Sequence, residues 1–119
     1  MRVLIAEDEC AAGVAMAKYL ELQGHLVRVA ADGRAALEQA ASFRPDVLVA
    51  DWRLGHEMDG VALARDMQRH WPHLLTILIS AYPKTSLQSA AKGLDNTKIL
   101  PKPLQLSDLA NLIVSCRPA

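Results

Sequence analysis

The sequence predicts one doubly wound α/β domain, a five-stranded parallel sheet with helices on both faces. Three observations predict it. The runs Arg2 to Ala6, Asp46 to Ala50 and Leu74 to Ser80 are rich in Val, Ile and Leu without polar alternation, as strands buried on both faces must be. Helical stretches lie between the strand candidates, and this alternation implies right-handed crossovers between parallel neighbours. Finally, 119 residues, 51% of them hydrophobic, suffice for one compact core and are too few for two.

Taken in order, Arg2 to Ala6 opens the sheet and is followed by a helix over Ala11 to Gln23 that Gly24 ends. Leu26 to Ala30 is a weaker strand, because Arg28 interrupts it. Asp32-Gly33 makes a turn into a helix over Arg34 to Ser42, and Pro45 precedes the third strand. A helix over Gly60 to His70 stops at Trp71-Pro72, since proline lacks the N–H that would continue it. Leu74 to Ser80, a helix over Thr85 to Lys92 and a short strand over Lys98 to Leu100 follow, with Pro101 marking the last strand as an edge. In the final helix, Leu106 to Ser115, the residues Leu106, Leu109, Ala110, Ile113 and Cys116 form one apolar stripe. The expected strand order is the flavodoxin-like 2-1-3-4-5. Its functional crevice lies beyond the carboxyl ends of the strands, between the first and third, where the winding direction reverses.

Bulk composition narrows the function. Formal net charge is zero, 22% of residues are charged and no basic run occurs, so no direct nucleic-acid binding and no membrane association are expected. The apolar start, Val3 to Ala6, is cut off by Glu7-Asp8-Glu9, which a signal peptide or membrane span would not tolerate. The chain reads as soluble and cytoplasmic. Cys10 and Cys116 make neither a disulfide framework nor a zinc site and are expected to be ordinary thiols. His70 and His73 are expected in a loop, separated by the Trp71-Pro72 break.

Acids gather where the topology places the crevice. Glu7 and Asp8 follow the first strand and Asp51 follows the third; strands stand about 4.8 Å apart, which brings Asp8 and Asp51 within reach of one cation. Carboxylates so close repel unless something positive neutralises them, and oxygen ligands from one or two carboxylates suit Mg²⁺. Ser80 ends the fourth strand and Lys102 follows the fifth, adding a hydroxyl and an ammonium at the same edge. An ionised Asp51 needs no general base to attack a phosphoryl group. It needs positioning and charge neutralisation, which a metal ion and Lys102 can provide while Ser80 donates a hydrogen bond.

These residues resemble the response-regulator receiver family of two-component signalling. The resemblance covers essentially the whole chain, through Val3-Leu4-Ile5-Ala6-Glu7-Asp8-Glu9, Asp46-Val47-Leu48-Val49-Ala50-Asp51, Met58-Asp59-Gly60, Ile77-Leu78-Ile79-Ser80-Ala81 and Lys102-Pro103. It implies that Asp51 is the phosphoacceptor, and that Glu7 and Asp8 hold Mg²⁺ together with Asp51 and the backbone carbonyl of Arg53. It further implies that Ser80 and Lys102 read the phosphoryl group, that the peptide before Pro103 is cis, and that a sensor histidine kinase or a histidine phosphotransfer protein is the donor. The output partner or linked domain stays open. So does the choice between a stand-alone regulator and one module of a larger protein, although the chain stops soon after its last helix.

Three departures from the family pattern bear on signalling. Leu54-Gly55 stand where Met-Pro is common, in a loop one residue longer than usual, as in receivers attached to sensor kinases. Ile99 replaces the aromatic residue three before the lysine that swings inward in other receivers. The approach from Gly93 to Pro103 is also longer, so the fourth helix and the loop after it are expected to be shifted or mobile. Arg53 and Tyr82, two residues after the acceptor and two after the hydroxyl, are bulky and are expected to hinder attacking water and prolong the phosphorylated state. Trp52 is expected beside the site as a fluorescence reporter, and Leu104 and Leu112 face either the core or a partner. The alternatives are a receiver-shaped scaffold that is not phosphorylated and a Mg²⁺-dependent phosphohydrolase with an aspartyl-phosphate intermediate. The second lacks its usual acid two residues after the nucleophile, where Arg53 stands. A flavodoxin is disfavoured because Glu7-Asp8-Glu9 would repel a flavin phosphate.

Overall fold

The computed structural model describes residues 1–54 and 58–115. Gly55 and Cys116, named above, therefore lie outside the described residues. The elements run β1 (Arg2–Ala6), α1 (Cys10–Leu22), β2 (Leu26–Ala30), α2 (Gly33–Phe43), β3 (Val47–Asp51), α3 (Gly60–His70), β4 (Leu75–Ser80), α4 (Lys84–Ala90), β5 (Thr97–Pro101) and α5 (Leu106–Ser115). All neighbouring strands pair parallel in the order β2-β1-β3-β4-β5, the flavodoxin-like arrangement that the alternation of elements predicts.

Successive residues of the central strands feed two different cores. Leu4, Ala6, Leu48, Ala50 and Leu78 point to the face covered by α2, α3 and α4, against Ala36, Ala40, Leu63, Met67 and Leu87. Val3, Ile5, Val47, Val49, Ile77 and Ile79 point to the other face, against Met16 and Leu20 of α1 and Leu109 and Ile113 of α5. Every residue of β3 and β4 is buried, so apolar residues are needed on both faces and no polar alternation survives. Leu109, Ala110 and Ile113 are buried as the stripe in α5 requires, while Leu104 and Leu112 are half-buried against the same core.

Element boundaries follow identifiable local chemistry. Asp32 and Asp59 cap α2 and α3, each accepting a backbone N–H in the first turn, from Ala35 and Ala62, at 2.8 Å. The expected Asp32-Gly33 turn is thus a cap followed by the first residue of α2. Gly24, at φ +95°, occupies the left-handed conformation that ends α1, as expected. His70 is not a loop residue but the last residue of α3, whose ring Nδ1 lies 3.0 Å from the Asp66 carbonyl; only His73 falls beyond the Pro72 break. α4 ends at Ala90, two residues before the expected Lys92. Cys10 is an exposed thiol at the start of α1. Among the described residues no helix is long and apolar enough to cross a membrane.

Candidate functional site

Strand register builds the site. Ala6 pairs with Ala50, so the next residues, Glu7 and Asp51, leave the sheet side by side at the point where winding direction reverses. Asp51 is the last residue of β3 and pairs with Ile79, which sets Ser80 one residue beyond it. Pairing continues past the strand ends: Trp52 N–H donates to the Ile79 carbonyl and Lys102 N–H to the Ser80 carbonyl, both at 2.9 Å. This backbone bond holds Lys102 at the site, and the Lys102–Pro103 peptide is cis, the expected isomer. Its Nζ forms an ion pair with Asp51 Oδ2, while the other carboxylate oxygen accepts the Arg53 N–H at 3.1 Å.

Glu7, Asp51 and Ser80 are buried, and Lys102 is part-exposed. Burial and the neighbouring Asp51 charge push the Glu7 carboxyl up to about 7; Asp8 adds to this and Lys102 opposes it. The hydrogen bond to Asp51 holds the Lys102 ammonium above its ordinary value. Ser80 Oγ accepts the Tyr82 N–H at 2.9 Å, which leaves the hydroxyl proton to be given to another acceptor.

The structure refines the expected pairing of acids. Glu7 also stands beside Asp51, and Asp8 is exposed at the rim. Register accounts for the Glu7 placement, since Ala6 pairs with Ala50 and Glu7 and Asp51 are the residues that follow. Among the described residues no group of three or more His, Cys, Asp or Glu is placed to hold a metal ion. The donor chemistry fits Mg²⁺ rather than zinc or calcium: two adjacent carboxylates with no thiol or imidazole suit an ion that keeps several of its waters.

A cationic and aromatic cluster stands at the mouth. The Arg53 guanidinium carbon lies 4.8 Å from the Tyr82 ring centre and 5.8 Å from that of Trp52. Trp52 and Tyr82 meet edge to face at 5.8 Å. The residues expected to hinder water and to report on the site therefore form one stack. A concavity of about 1130 Å³ lies at the opposite end of the sheet among Pro45, Asp46, Trp71 and Leu94. It brings no reactive group near Asp51.

Gly60, in the Met58-Asp59-Gly60 motif, packs against the end of β3. A Cβ there would collide with the Asp51 carbonyl oxygen, so only glycine lets α3 start directly against the Asp51 backbone. The Asp-Gly pair at the head of a helix was the available signal.

A doubly wound parallel domain with an acid pair, a lysine and a buried serine at its switch point defines a class of site suited to receiving a phosphoryl group. Residues 3–114 match the family model described as the response regulator receiver domain, and this chain belongs to that family. It is 31% identical over 109 residues to the response regulator MprA of Mycobacterium avium (strain 104), covering 92% of this chain and 47% of that protein. To the regulatory protein AtoC of Escherichia coli (strain K12) it is 34% identical over 113 residues, covering 95% of this chain and 24% of that one. The chain thus spans about half the length of MprA or less of such relatives. Among solved structures, the chemotaxis protein CheY4 of Vibrio cholerae matches in fold with a TM-score of 0.88 at 22% identity, covering 98% of both chains. A response regulator receiver protein from Sinorhizobium medicae WSM419 matches with a TM-score of 0.87 at 26% identity, covering 98% of this chain and 93% of that one.

Proposed function

We propose that this domain is the phosphoaccepting switch of a two-component pathway, in which Asp51 takes a phosphoryl group from a phosphohistidine on a sensor histidine kinase or histidine phosphotransfer protein. The observation that carries the reading is the setting of Asp51, a buried carboxylate held between a second acid, Glu7, and the ammonium of Lys102. A carboxylate oxygen of Asp51 attacks phosphorus in line as the P–N bond breaks. The bonding electron pair leaves with the imidazole, which takes up a proton, and an aspartyl phosphate remains. Lys102 offsets the charge on a phosphoryl oxygen, and Ser80 gives its hydroxyl proton to another.

Glu7, Asp8, Asp51 and the backbone carbonyl of Arg53 would hold Mg²⁺, which when bound supplies positive charge to the transferring group. Arg53 and Tyr82, stacked at the mouth, restrict the approach of water and prolong the phosphorylated state. An unchanged dephosphorylation rate in Arg53→Ala and Tyr82→Ala would remove that assignment. The domain modifies itself once per switching event instead of turning over a substrate. The reading carries a single receiver unit over residues 1–119, a cytoplasmic location and contact with an output partner or linked domain. It assigns no direct role in nucleic-acid or membrane binding.

The test is incubation with acetyl phosphate and Mg²⁺, followed by intact mass. One added phosphoryl group is expected, and it should vanish in Asp51→Asn and on adding a chelator. No adduct in the unaltered protein would favour a non-phosphorylated scaffold. Steady release of phosphate from small phosphate esters would favour a phosphohydrolase.

A further inference from the structure

We propose that helix α3 is the mechanical link between Asp51 and the α4–β5 segment, gripping the acceptor's backbone with Gly60 and the distant segment with Arg65 and Gln68. The inference rests on the phosphoacceptor reading and names how that site is heard elsewhere in the fold.

At its first residue α3 is locked to the site. Gly60 N–H donates to the Trp52 carbonyl at 2.9 Å, and the bare Cα abuts the Asp51 carbonyl. Further along, Arg65 Nη2 donates to the carbonyls of Ala90 and Lys92, both at 2.9 Å, closing the carboxyl end of α4 with a guanidinium. One turn on, Gln68 pairs with the backbone of Asp95 through both of its groups. Its Oε1 accepts the Asp95 N–H at 3.1 Å, and its Nε2 donates to the Asp95 carbonyl. Gln68 Nε2 also lies 3.4 Å from the hydroxyls of Thr76 and Thr97.

Between these ends Leu63, Ala64 and Met67 are fully buried, so α3 moves as one body. By contrast, α4 has seven residues, no side-chain N-cap and one buried side chain, Leu87. An element with so few anchors is the part of the fold most easily displaced, and Arg65 and Gln68 hold its exit. Ile99, at the position where an aromatic side chain would swing, is half-buried against the same core. Phosphorylation changes both carboxylate oxygens of Asp51, one accepting the Arg53 N–H and the other pairing with Lys102. The Asp51 to Arg53 backbone readjusts, Gly60 moves with it, and Arg65 and Gln68 carry the shift about 8 and 12 Å along the helix.

The experiment is hydrogen exchange resolved over residues 84–97, before and after phosphorylation with acetyl phosphate and Mg²⁺. It compares the unaltered protein with Arg65→Ala, Gln68→Ala and the double variant, with intact mass run in parallel. Arg65 is exposed and Gln68 half-buried, so the core is spared. In the double variant exchange over 90–96 should rise about tenfold before phosphorylation, as expected for losing a net hydrogen bond or two. The adduct should still form, and the phosphorylation-dependent change over 84–97 seen in the unaltered protein should disappear. The same change persisting in the double variant, or no change in the phosphorylated unaltered protein, overturns the link while leaving the acceptor reading intact. Absence of the adduct in the unaltered protein overturns the acceptor reading instead. Should the double variant fail to fold, Arg65→Lys, which keeps the charge but cannot bridge two carbonyls in the same way, decides by the same change in exchange.

Discussion

The centre of the sheet and its β5 margin are built to opposite standards. In β3 and β4 every residue is buried, whereas in β5 none is, and Pro101 and Lys98 face solvent. Glu7, Asp51 and Ser80 stand at the ends of the buried central strands, while Lys102 follows the exposed edge strand. The site therefore takes its carboxylates and hydroxyl from the buried centre of the sheet and its cation from the exposed margin, a division between two kinds of surroundings.

The division is broken most directly by deleting equivalent side chains on each side of it. Leu78→Ala, in a fully buried position, should cost about 3 kcal/mol, and Leu100→Ala, half-buried on β5, about 1 kcal/mol. Urea denaturation measures both, and equal costs would show that the margin is as tightly built as the centre.

A comparable effect follows from Glu7, which in the folded protein keeps its proton up to about pH 7 against an ordinary value of 4.5. Between these values the folded state binds more protons than the unfolded, so metal-free stability should fall as pH rises from 4.5 through 7. The fall amounts to about 3 kcal/mol at most. Glu7→Gln should flatten that dependence in pH-resolved urea melts. Because Mg²⁺ needs the ionised carboxylates, it should stabilise the protein more at pH 8 than at pH 5.5.

On the marginal side of the site, Lys102→Ala should slow adduct formation from acetyl phosphate about a hundredfold, as expected when a charge-stabilising group is lost from a transferring centre. Time-resolved intact mass would show it. An unaltered rate would mean that the edge contributes nothing to the chemistry. The smallest effect is expected at the cap of the linking helix, where Asp59→Ala should cost about 1 kcal/mol in the same denaturation assay.

Much of this was legible in the chain. The unbroken apolar runs announced strands covered on both faces. Gly24, Pro45 and Pro72 marked where elements stop, and the acids at the ends of β1 and β3 pointed to the switch point because topology confines chemistry to that edge. The departure at Ile99 was visible too. Arg65 and Gln68 carried no signal, since polar residues on an exposed helical face are ordinary, and their partners are backbone groups 25 to 27 positions away. Gln68 reaching Asp95 depends on where the loop after α4 comes to rest.

The sequence by itself determined the parallel α/β layering and the set of groups, Glu7, Asp8, Asp51, Ser80 and Lys102, delivered to one edge. Hydrophobic periodicity and strand-end position are local properties of the chain. Only the tertiary structure decided that Glu7 sits beside Asp51, that Gly60 lies against the Asp51 carbonyl, and that α3 holds the exit of α4. Those follow from strand register and helix placement, which emerge when distant segments pack and which no single stretch of residues encodes.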